Sequence, residues 1–330
     1  MAEPILYVSP TDGGKGINMT SGTRLLKFLG NYDVSGKPAR ATLTGYTGGQ
    51  LYLVPTRFGG VMSPSGSSAS WGWYINGYSM SGNQITFSTS DGGNGWAVFS
   101  AFEIPTSPSF GTYGLLLQDS ANFMAITDSS TLGFCVWRGT VTISSDWQVP
   151  SGIKNRDNAI VFANWNNPDV SLIYDADSKN IHCFKINPNG TTGNGSITAN
   201  ICVFTTGFYP EPPSPGTAGL AIFNTSGQCT YSSRYAPLIL GKTVQISSTP
   251  NAWINTGIEK PMIPLPSLGG FPSGPVMNGD YRGWYMSAMR MYDSNITAGV
   301  GAYENSSNTL DYPSGISPLA LPVLNADTYF

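Results

Sequence analysis

The residues best suited to chemistry in this sequence are a histidine and a cysteine that follow one another. His182 is the one histidine of the chain, and Cys183 comes directly after it. A cysteine beside a histidine can be activated as a nucleophile. These two residues, however, belong to an apolar stretch typical of a β-strand, in which successive side chains point to opposite faces. We therefore expect no cysteine–histidine dyad and a surface or half-buried position for His182.

Acidic residues offer a second possibility, a calcium site. Asp175 and Asp177 are spaced like the first two ligands of a calcium-binding loop. Lys179 and Asn180 then stand where such a loop needs an oxygen ligand and a glycine. A hairpin turn explains these residues better, because Asp and Ser side chains favour tight turns. We predict a turn here and no metal site.

Glycoside hydrolysis would require two carboxylates on either side of a sugar ring, and their separation cannot be read from a sequence. The glutamates form no pattern that singles out such a pair; they are Glu3, Glu103, Glu211, Glu259 and Glu304. The sequence thus offers no catalytic residue, and we expect a protein that is not an enzyme and needs no cofactor.

The cysteines show no sign of a disulfide framework or a metal site. The four of them, Cys135, Cys183, Cys202 and Cys229, include no CxxC pair. We expect four reduced thiols that behave as small apolar residues. Such a chain is typical of synthesis in a reducing cytoplasm.

Aromatic residues crowd one predicted strand that contains Trp71, Trp73, Tyr74 and Tyr78. Strand alternation places the two tryptophans on one face and the two tyrosines on the other. Trp73 recurs later in the chain as Trp284, so we expect both of these residues in the core.

Three other aromatic residues are candidates for an exposed binding surface. Trp71 has no clear counterpart, Tyr78 lies on the other face of the same strand, and Trp165 stands among asparagines in a turn-like setting. Aromatic rings with polar tips suit glycan stacking and protein interfaces alike. We predict Trp71, Tyr78 and Trp165 as binding residues.

The sequence repeats itself at a fixed spacing. Residues 108–115 return as residues 213–220, an offset of 213 − 108 = 105, and Val98-Phe99 return as Val203-Phe204 at the same offset. A constant period is the signature of a repeated structural module.

A third copy completes the chain, since Gly72-Trp73-Tyr74 recurs as Gly283-Trp284-Tyr285. Three units of about 105 residues account for nearly all of the sequence, each the size of a small domain with its own core. We place unit 1 at residues 1–110, unit 2 at 111–215 and unit 3 at 216–330.

Composition favours β structure in every unit. The chain holds 40 glycines and 24 prolines, and no stretch shows helical spacing of apolar residues free of these breakers. Short runs such as Leu51–Val54 and Ile201–Phe204, bounded by turn residues, predict strands. We predict an all-β fold of three tandem antiparallel β-sandwich (Ig-like) units. Residues 63–70 and 261–275, rich in Pro, Gly and Ser, are expected to be surface loops.

The charge of the chain argues against nucleic acid as a partner. Sixteen basic and 19 acidic residues give a net charge of −3, without a basic run, whereas nucleic-acid sites depend on clustered Lys and Arg. No apolar stretch reaches the length of a membrane span, and the first residues lack the pattern of a secretory signal. We expect neither nucleic-acid binding nor membrane insertion.

The start of unit 3 carries a resemblance to a known family. Gly219-Leu220-Ala221-Ile222-Phe223-Asn224, the glycine at 227 and Tyr231-Ser232-Ser233 resemble small all-β proteins from the tail genes of siphon-tailed bacteriophages. In those proteins such residues form the first hairpin of a β-rich unit. Unit 2 keeps Gly114-Leu115 but has Gln118-Asp119 in place of Phe-Asn.

The resemblance covers about 30 residues per unit and implies a non-catalytic structural protein of the virion, in the tail or tail tip, made in the host cytoplasm. Implied partners are other virion tail proteins, with a homo-oligomer or a ring of three-fold or six-fold symmetry. The units could match such symmetry within one chain, or form an extended arm in which each touches only its neighbours. The alternative function is a receptor-binding protein or adhesin that recognises a host-surface glycan or an outer-membrane protein.

Overall fold

Turn-forming residues divide this chain into short strands, and strands make up nearly all of its regular structure. The computed structural model describes residues 6–20, 23–62, 71–90, 95–106, 114–119, 122–127, 132–276, 281–308 and 314–330. The helical segments among those residues are two 3₁₀ turns, Arg156–Asn158 and Ala326–Thr328. No helix in these ranges is long or apolar enough to cross a lipid bilayer. The predicted all-β class is confirmed.

The strands are numbered here in chain order, by predicted unit. Unit 1 contains β1 (Leu6–Val8), β2 (Ile17–Met19), β3 (Lys27–Gly36), β4 (Arg40–Thr42), β5 (Gln50–Met62), β6 (Trp71–Ser81), β7 (Gln84–Thr89) and β8 (Gly95–Ile104). Unit 2 contains β9 (Gly114–Asp119), β10 (Asn122–Thr127), β11 (Phe134–Ser144), β12 (Asp146–Gln148), β13 (Ile160–Asn164), β14 (Asn167–Asp175), β15 (Asn180–Ile186), β16 (Thr192–Asn194) and β17 (Ser196–Thr205). Unit 3 contains β18 (Ala221–Phe223), β19 (Cys229–Ser232), β20 (Ala236–Pro237), β21 (Lys242–Gln245), β22 (Ile254–Asn255), β23 (Pro261–Pro264), β24 (Ser267–Ser273), β25 (Tyr281–Tyr292), β26 (Asn295–Asn308), β27 (Gly315–Ile316) and β28 (Ala320–Asn325).

One arrangement of three antiparallel strands occurs in each unit, and we call it the central sheet. In unit 1 the last strand, β8, lies between β3 and β5. In unit 2 the last strand, β17, lies between β11 and β13. In unit 3 the last strand, β28, lies between β21 and β23. The strand connectivity of the central sheet is therefore the same three times.

The strands around each central sheet repeat as well. Each unit begins with a leading hairpin, β1–β2, β9–β10 or β18–β19. Each also contains an outer hairpin, β6–β7, β14–β15 or β25–β26. A short strand, β4, β12 or β22, pairs with the second strand of the outer hairpin. This repetition agrees with the internal repeat, whereas the immunoglobulin-like class and the unit boundaries stay predictions.

A large apolar core fills the space between the central sheets and the outer hairpins. Phe99, Val203 and Val323 contribute to it from the central sheets of the three units, and Phe87 and Met289 from two outer hairpins. A strand with an apolar residue at every second position buries one face in this way.

A second cluster, which we call the hairpin core, lies on the other face of the central sheets. Phe102, Phe204 and Leu324 contribute to it from the three units, together with Val8 and Ile222 from two leading hairpins. Both cores thus draw residues from all three units. The expectation that each unit has a core of its own is wrong, because the apolar faces of the units pack against one another.

The constant offset of 105 residues fails in the last strand of the central sheet. It matches Phe99 with Phe204, yet Phe99 lies in the large core and Phe204 in the hairpin core. Strand register instead makes Phe102 the equivalent of Phe204. Phe102 pairs with Tyr52 of β5, and Phe204 pairs with Ile160 of β13. The two alignments differ by three residues. Because side chains alternate between the faces of a strand, an odd difference matches a residue of one core with a residue of the other.

Each unit contacts both of the others. Units 1 and 3 meet through the parallel strands β5 and β24, and units 2 and 3 through the antiparallel strands β13 and β23. Units 1 and 2 meet through a bridge between Lys27 and Leu132 and an ion pair between Arg57 and Asp177 at 3.7 Å. The alternative of an extended arm is wrong, because unit 1 contacts unit 3 as well as unit 2.

Glycines allow the close approach of units 1 and 3. A Cβ atom on Gly59 of β5 would lie 2.5 Å from the Cα atom of Gly269 in β24. A Cβ atom on Gly270 of β24 would lie 2.5 Å from the carbonyl oxygen of Gly60 in β5. Real Cβ atoms do not approach backbone atoms so closely, so any side chain here would push the two units apart.

Buried serines complete the hydrogen bonding where units meet. Ser267 donates its hydroxyl to the carbonyl of Gly59 at 2.7 Å, and Ser317 donates to the carbonyl of Ile75 at 2.6 Å. Ser171 of unit 2 donates to a carbonyl of unit 3 at 2.7 Å. Since an unpaired buried carbonyl costs free energy, these hydroxyls stabilise the contacts between units.

The prediction of a surface loop over residues 261–275 is wrong. This segment contains all of β23 and β24, and Met262, Ile263 and Leu268 are buried. Its prolines and glycines serve strand ends and close packing rather than a loop. The other expected loop, residues 63–70, lies outside the described residues.

Replacing Gly59 with alanine tests the contact between units 1 and 3. We expect Gly59→Ala to lower the free energy of unfolding by about 1 to 3 kcal/mol, because the added methyl group meets backbone rather than a movable side chain. Urea unfolding followed by circular dichroism measures this change. Gly193→Ala is the control, since a Cβ atom there meets nothing within 4 Å. Equal stability of the two variants would contradict the contact.

Candidate functional site

The three aromatic residues predicted to bind a partner lie in different environments. Tyr78 is exposed on β6, with 40% of its surface accessible, and Trp71 is half-buried at the start of the same strand. Trp165 is only 3% exposed and belongs to the large core, so the expectation that it is exposed is wrong. The turn between β13 and β14 is covered by unit 3, which a local sequence pattern does not reveal. By contrast, the predicted burial of Trp73 and Trp284 is confirmed.

Tyr78 lines a surface groove of about 560 Å³ together with Lys37, Thr86 and Ser88. Its ring contacts the edge of Phe87, with centroids 6.2 Å apart. Burial of the phenol, with a smaller contribution from Tyr46, raises the pKa of Tyr78. The hydroxyl therefore stays protonated at neutral pH and can both donate and accept a hydrogen bond.

His182 and Cys183 lie on opposite faces of β15, as predicted. His182 Nδ1 pairs with Asp146, and its Nε2 lies 3.9 Å from Asp175. Cys183 is buried in the large core, and burial, with a smaller contribution from Asp146, raises the pKa of its thiol to about 11. A thiol with so high a pKa is protonated at neutral pH and is a poor nucleophile.

The aspartates that resemble a calcium loop form the predicted hairpin turn. Asp175 Oδ1 accepts the backbone N–H of Asp177 at 2.9 Å, and Oδ2 accepts the hydroxyl of Ser178 at 2.7 Å. These bonds close the turn between β14 and β15. In the described part of the chain no group of three or more His, Cys, Asp or Glu side chains could hold a metal ion. All four cysteines are free and buried.

Glu103 is a buried carboxylate whose hydrogen-bond partners and ion-pair partner give it a structural role. Its Oε1 accepts the hydroxyl of Thr47 and the backbone N–H of Gly49, both at 2.7 Å, and Lys27 Nζ lies 3.4 Å from its Oε2. Burial by itself raises the pKa of Glu103, but these hydrogen bonds and the lysine hold it below its ordinary value of 4.5. The carboxylate fastens the segment before β5 to the central sheet of unit 1.

A cavity lined by polar side chains lies where units 2 and 3 meet, and we call it the junction cleft. It has a volume of about 620 Å³ and is lined by Asn164, Trp165, Asn166, Asn200, Glu259 and Asp293, among others. The residues come from the end of β13, from β17, from the segment before β23 and from the turn after β25. Such a cleft between elements distant in sequence is a common place for a ligand.

Hydrogen bonds hold the floor of the junction cleft. Asn166 donates its amide to Asp293 Oδ1, and the backbone N–H of Asp293 donates to Asn166 Oδ1, both at 2.9 Å. Lys260 pairs with Asp327 at 2.8 Å. Of the residues that line the junction cleft, Trp165 is the one that the sequence predicts as a binding residue. The asparagines on either side of it are typical of a turn and are also suited to a polar site.

The fold and these cavities define an all-β protein with sandwich-like repeats and a polar cleft at a junction between them. The chain belongs to the family described as Family of unknown function (DUF6453), whose model matches residues 5–309. No curated protein and no solved structure matches the chain.

Replacing Glu103 with glutamine tests its structural role. Because the pKa of Glu103 is lowered in the folded protein, its ionised form stabilises the fold above the pKa of the unfolded chain, and this stabilisation is lost as the pH falls through the folded pKa. We expect Glu103→Gln to reduce the free energy of unfolding by about 1 to 3 kcal/mol near neutral pH. The difference from the wild type should shrink as the pH falls below about 4.

Urea unfolding at several pH values measures this difference. Glu211→Gln is the matched control, since Glu211 pairs with Lys154 and Arg234 on the surface and should contribute much less. A destabilisation by Glu103→Gln that did not change with pH would show that the charge of Glu103 is not what matters.

Proposed function

We propose that this protein is a non-catalytic structural component of a tailed-bacteriophage virion, located in the tail or tail tip. The observation that supports this most is the threefold repetition of one strand arrangement within a chain whose units all contact one another. A chain built in this way presents three similar surfaces, which suits a partner or a ring with three-fold or six-fold symmetry.

A second observation concerns the residues that resemble phage tail proteins. The segment that should form the first hairpin of unit 3 contains β18 and β19, which pair as an antiparallel hairpin. Gly227 lies in the turn with a φ of 75°, a conformation that glycine adopts at little cost. The local structure is thus the one that the resemblance implies.

The partners in this proposal are other virion tail proteins or further copies of the same chain. Large aromatic side chains on the surface provide contact area for them: Tyr7 is 63% exposed, Tyr209 50% and Tyr303 54%. Tyrosine is well suited to such contacts, because it buries a large ring and keeps a polar tip.

A receptor-binding role is the second candidate function. It is favoured by the groove of Tyr78, where an exposed aromatic ring lies beside Lys37 and the hydroxyls of Thr86 and Ser88. Stacking on an aromatic ring and hydrogen bonding to hydroxyls is chemistry that would recognise a host-surface glycan. An outer-membrane protein could use the same groove through protein–protein contacts.

Purified virions of the source phage separate the two functions. The assembly proposal predicts that mass spectrometry finds the chain in the virion, that immunogold labelling places it at the tail, and that free protein does not compete with adsorption to the host. Receptor binding would be favoured if free protein blocks adsorption and the Tyr78→Ala variant no longer does. Absence of the chain from virions would contradict both.

A further inference from the structure

The outer hairpins of units 2 and 3 pair with each other, whereas the outer hairpin of unit 1 has no such partner. β14 and β25 lie side by side in antiparallel order, with Leu172 opposite Met289. In unit 1 the corresponding strand, β6, pairs with β7 along one edge of residues 77–81. Unit 3 meets the other edge at Ile75, whose carbonyl accepts the hydroxyl of Ser317. Beyond that point no strand of the described residues pairs with this edge, and we call residues 77–81 the open edge.

Strand register shows which residues of the three outer hairpins are equivalent. The last ladder pairs before the three turns are Ser81–Gln84, Asp175–Asn180 and Tyr292–Asn295. Three residues before the first member of each pair come Tyr78, Leu172 and Met289. Leu172 and Met289, which lie opposite each other between units 2 and 3, thus hold the same position in their units. A contact in which equivalent residues face each other is the kind that a two-fold axis produces.

Residues at these equivalent positions are buried in units 2 and 3 and exposed in unit 1. Leu172 and Met289 are fully buried in the large core, whereas Tyr78 is 40% exposed. Two residues further along the strand, Met80 is half-buried at the rim of the same core. Its equivalents in units 2 and 3 are buried, and they are Tyr174 and Met291. The rim of the large core is therefore covered where outer hairpins pair and accessible at the open edge.

The open edge also presents backbone groups to a further strand. In an antiparallel ladder, successive residues direct their N–H and C=O groups to alternate edges of the strand. Because Ser81 bonds across a two-residue turn to β7, Tyr78 and Met80 direct theirs to the open edge. Unit 2 uses the equivalent group in this way, since the N–H of Tyr174 donates to the carbonyl of Leu265 in unit 3 at 2.8 Å.

β6 lacks the residues that usually protect an edge strand from pairing. Edge strands are commonly blocked by charged side chains, by proline or by short length. β6 (Trp71–Ser81) has 11 residues, and none of them is charged or a proline. The β-bulge between Ile75 and Gly77 lies before the open edge, and the ladder beyond it is regular. β6 therefore brings no like charges against a second copy of itself.

We propose that the open edge pairs with the open edge of a second copy of this chain, in antiparallel order, to form a two-fold dimer. The pairing of units 2 and 3 supplies the register. Tyr78 lies opposite Tyr78 of the second copy, and Ser79 lies opposite Gly77. Two phenol rings then meet at the axis, and cross-strand aromatic pairs stabilise a sheet. A second copy fits this edge because the same framework already pairs with its own equivalent inside the chain.

The dimer identifies one partner for virion assembly, and as a role in the virion it rests on that proposed function. Dimerisation itself is a property of the purified chain and can be measured without virions. The dimer also covers Tyr78, so it competes with the glycan-binding alternative for the groove of this residue.

Sedimentation velocity of the full chain at about 1 to 200 μM tests the dimer. We expect a reversible equilibrium between monomer and dimer with a Kd of about 1 to 100 μM, because a pair of edge strands buries less surface than a standard protein interface. No larger species is expected, since a two-fold contact uses up the open edge of both copies.

Charged residues at position 79 then place the contact on β6. Ser79 is exposed, and the two-fold axis brings it close to Ser79 of the second copy, so like charges there repel each other. We expect Ser79→Lys and Ser79→Glu each to weaken the dimer about three- to tenfold at low ionic strength. An equimolar mixture of the two variants should restore dimerisation, because opposite charges then meet. Gln84→Lys is the matched control and should dimerise as the wild type does, since Gln84 is exposed on β7, which already pairs with β4 and β6.

Several results would overturn the proposal. They are a monomer at every concentration, a trimer or larger ring as the associated species, a dimer that both variants of Ser79 leave unchanged, a dimer that Gln84→Lys weakens equally, and a mixture that dimerises no better than either variant alone. If Ser79→Lys does not fold, as judged by circular dichroism, Ser79→Glu and the control decide. Sedimentation of the purified chain does not depend on whether the chain is found in virions, so failure of the dimer and failure of the assembly function are distinguishable.

Discussion

The contact between the backbones of Gly59 and Gly269 is the constraint on which the rest of the fold depends. At this point β5 of unit 1 and β24 of unit 3 run side by side in parallel, and Gly269 leaves no room for a Cβ atom on Gly59. Because units 2 and 3 are already joined by strand pairing, the glycine contact closes the set of three units. Two continuous cores follow from this closure, since the apolar faces of all units then meet.

Strand alternation explains how different sequences fill the same framework. The pairs Tyr52–Phe102, Ile160–Phe204 and Met262–Leu324 occupy equivalent register positions, and all six residues lie in the hairpin core. Their side chains differ in size and shape but share apolar character. Period-two patterning therefore fixes which face is buried, while the detailed packing differs from unit to unit.

Local features of this structure could be predicted from sequence, because local chemistry determines them. The all-β class follows from the breakers, and the turn at Asp175 follows from Asp and Ser chemistry. The burial of Trp73 and Trp284 follows from their recurrence. Likewise, the separation of His182 from Cys183 requires only that strand residues alternate.

Features that depend on contacts between units could not be predicted in the same way. Trp165 looks like a turn residue, but it lies in a core to which all three units contribute. Residues 261–275 look like a loop because their glycines serve a close approach between strands rather than a turn. The junction cleft gathers residues from Asn164 to Phe330, so no local pattern could reveal it.

The central claim of this account is that the three units form one closed structure and not a row of independent domains. Hydrogen exchange of backbone amides in the full chain tests it most directly. The N–H of Leu240 donates to Arg24 across units 1 and 3 at 3.1 Å, and that of Tyr174 to Leu265 across units 2 and 3 at 2.8 Å. We predict that these amides exchange only through global unfolding, as slowly as the amides within the central sheets. Faster exchange of the amides between units, at a free energy well below that of the central sheets, would contradict the account.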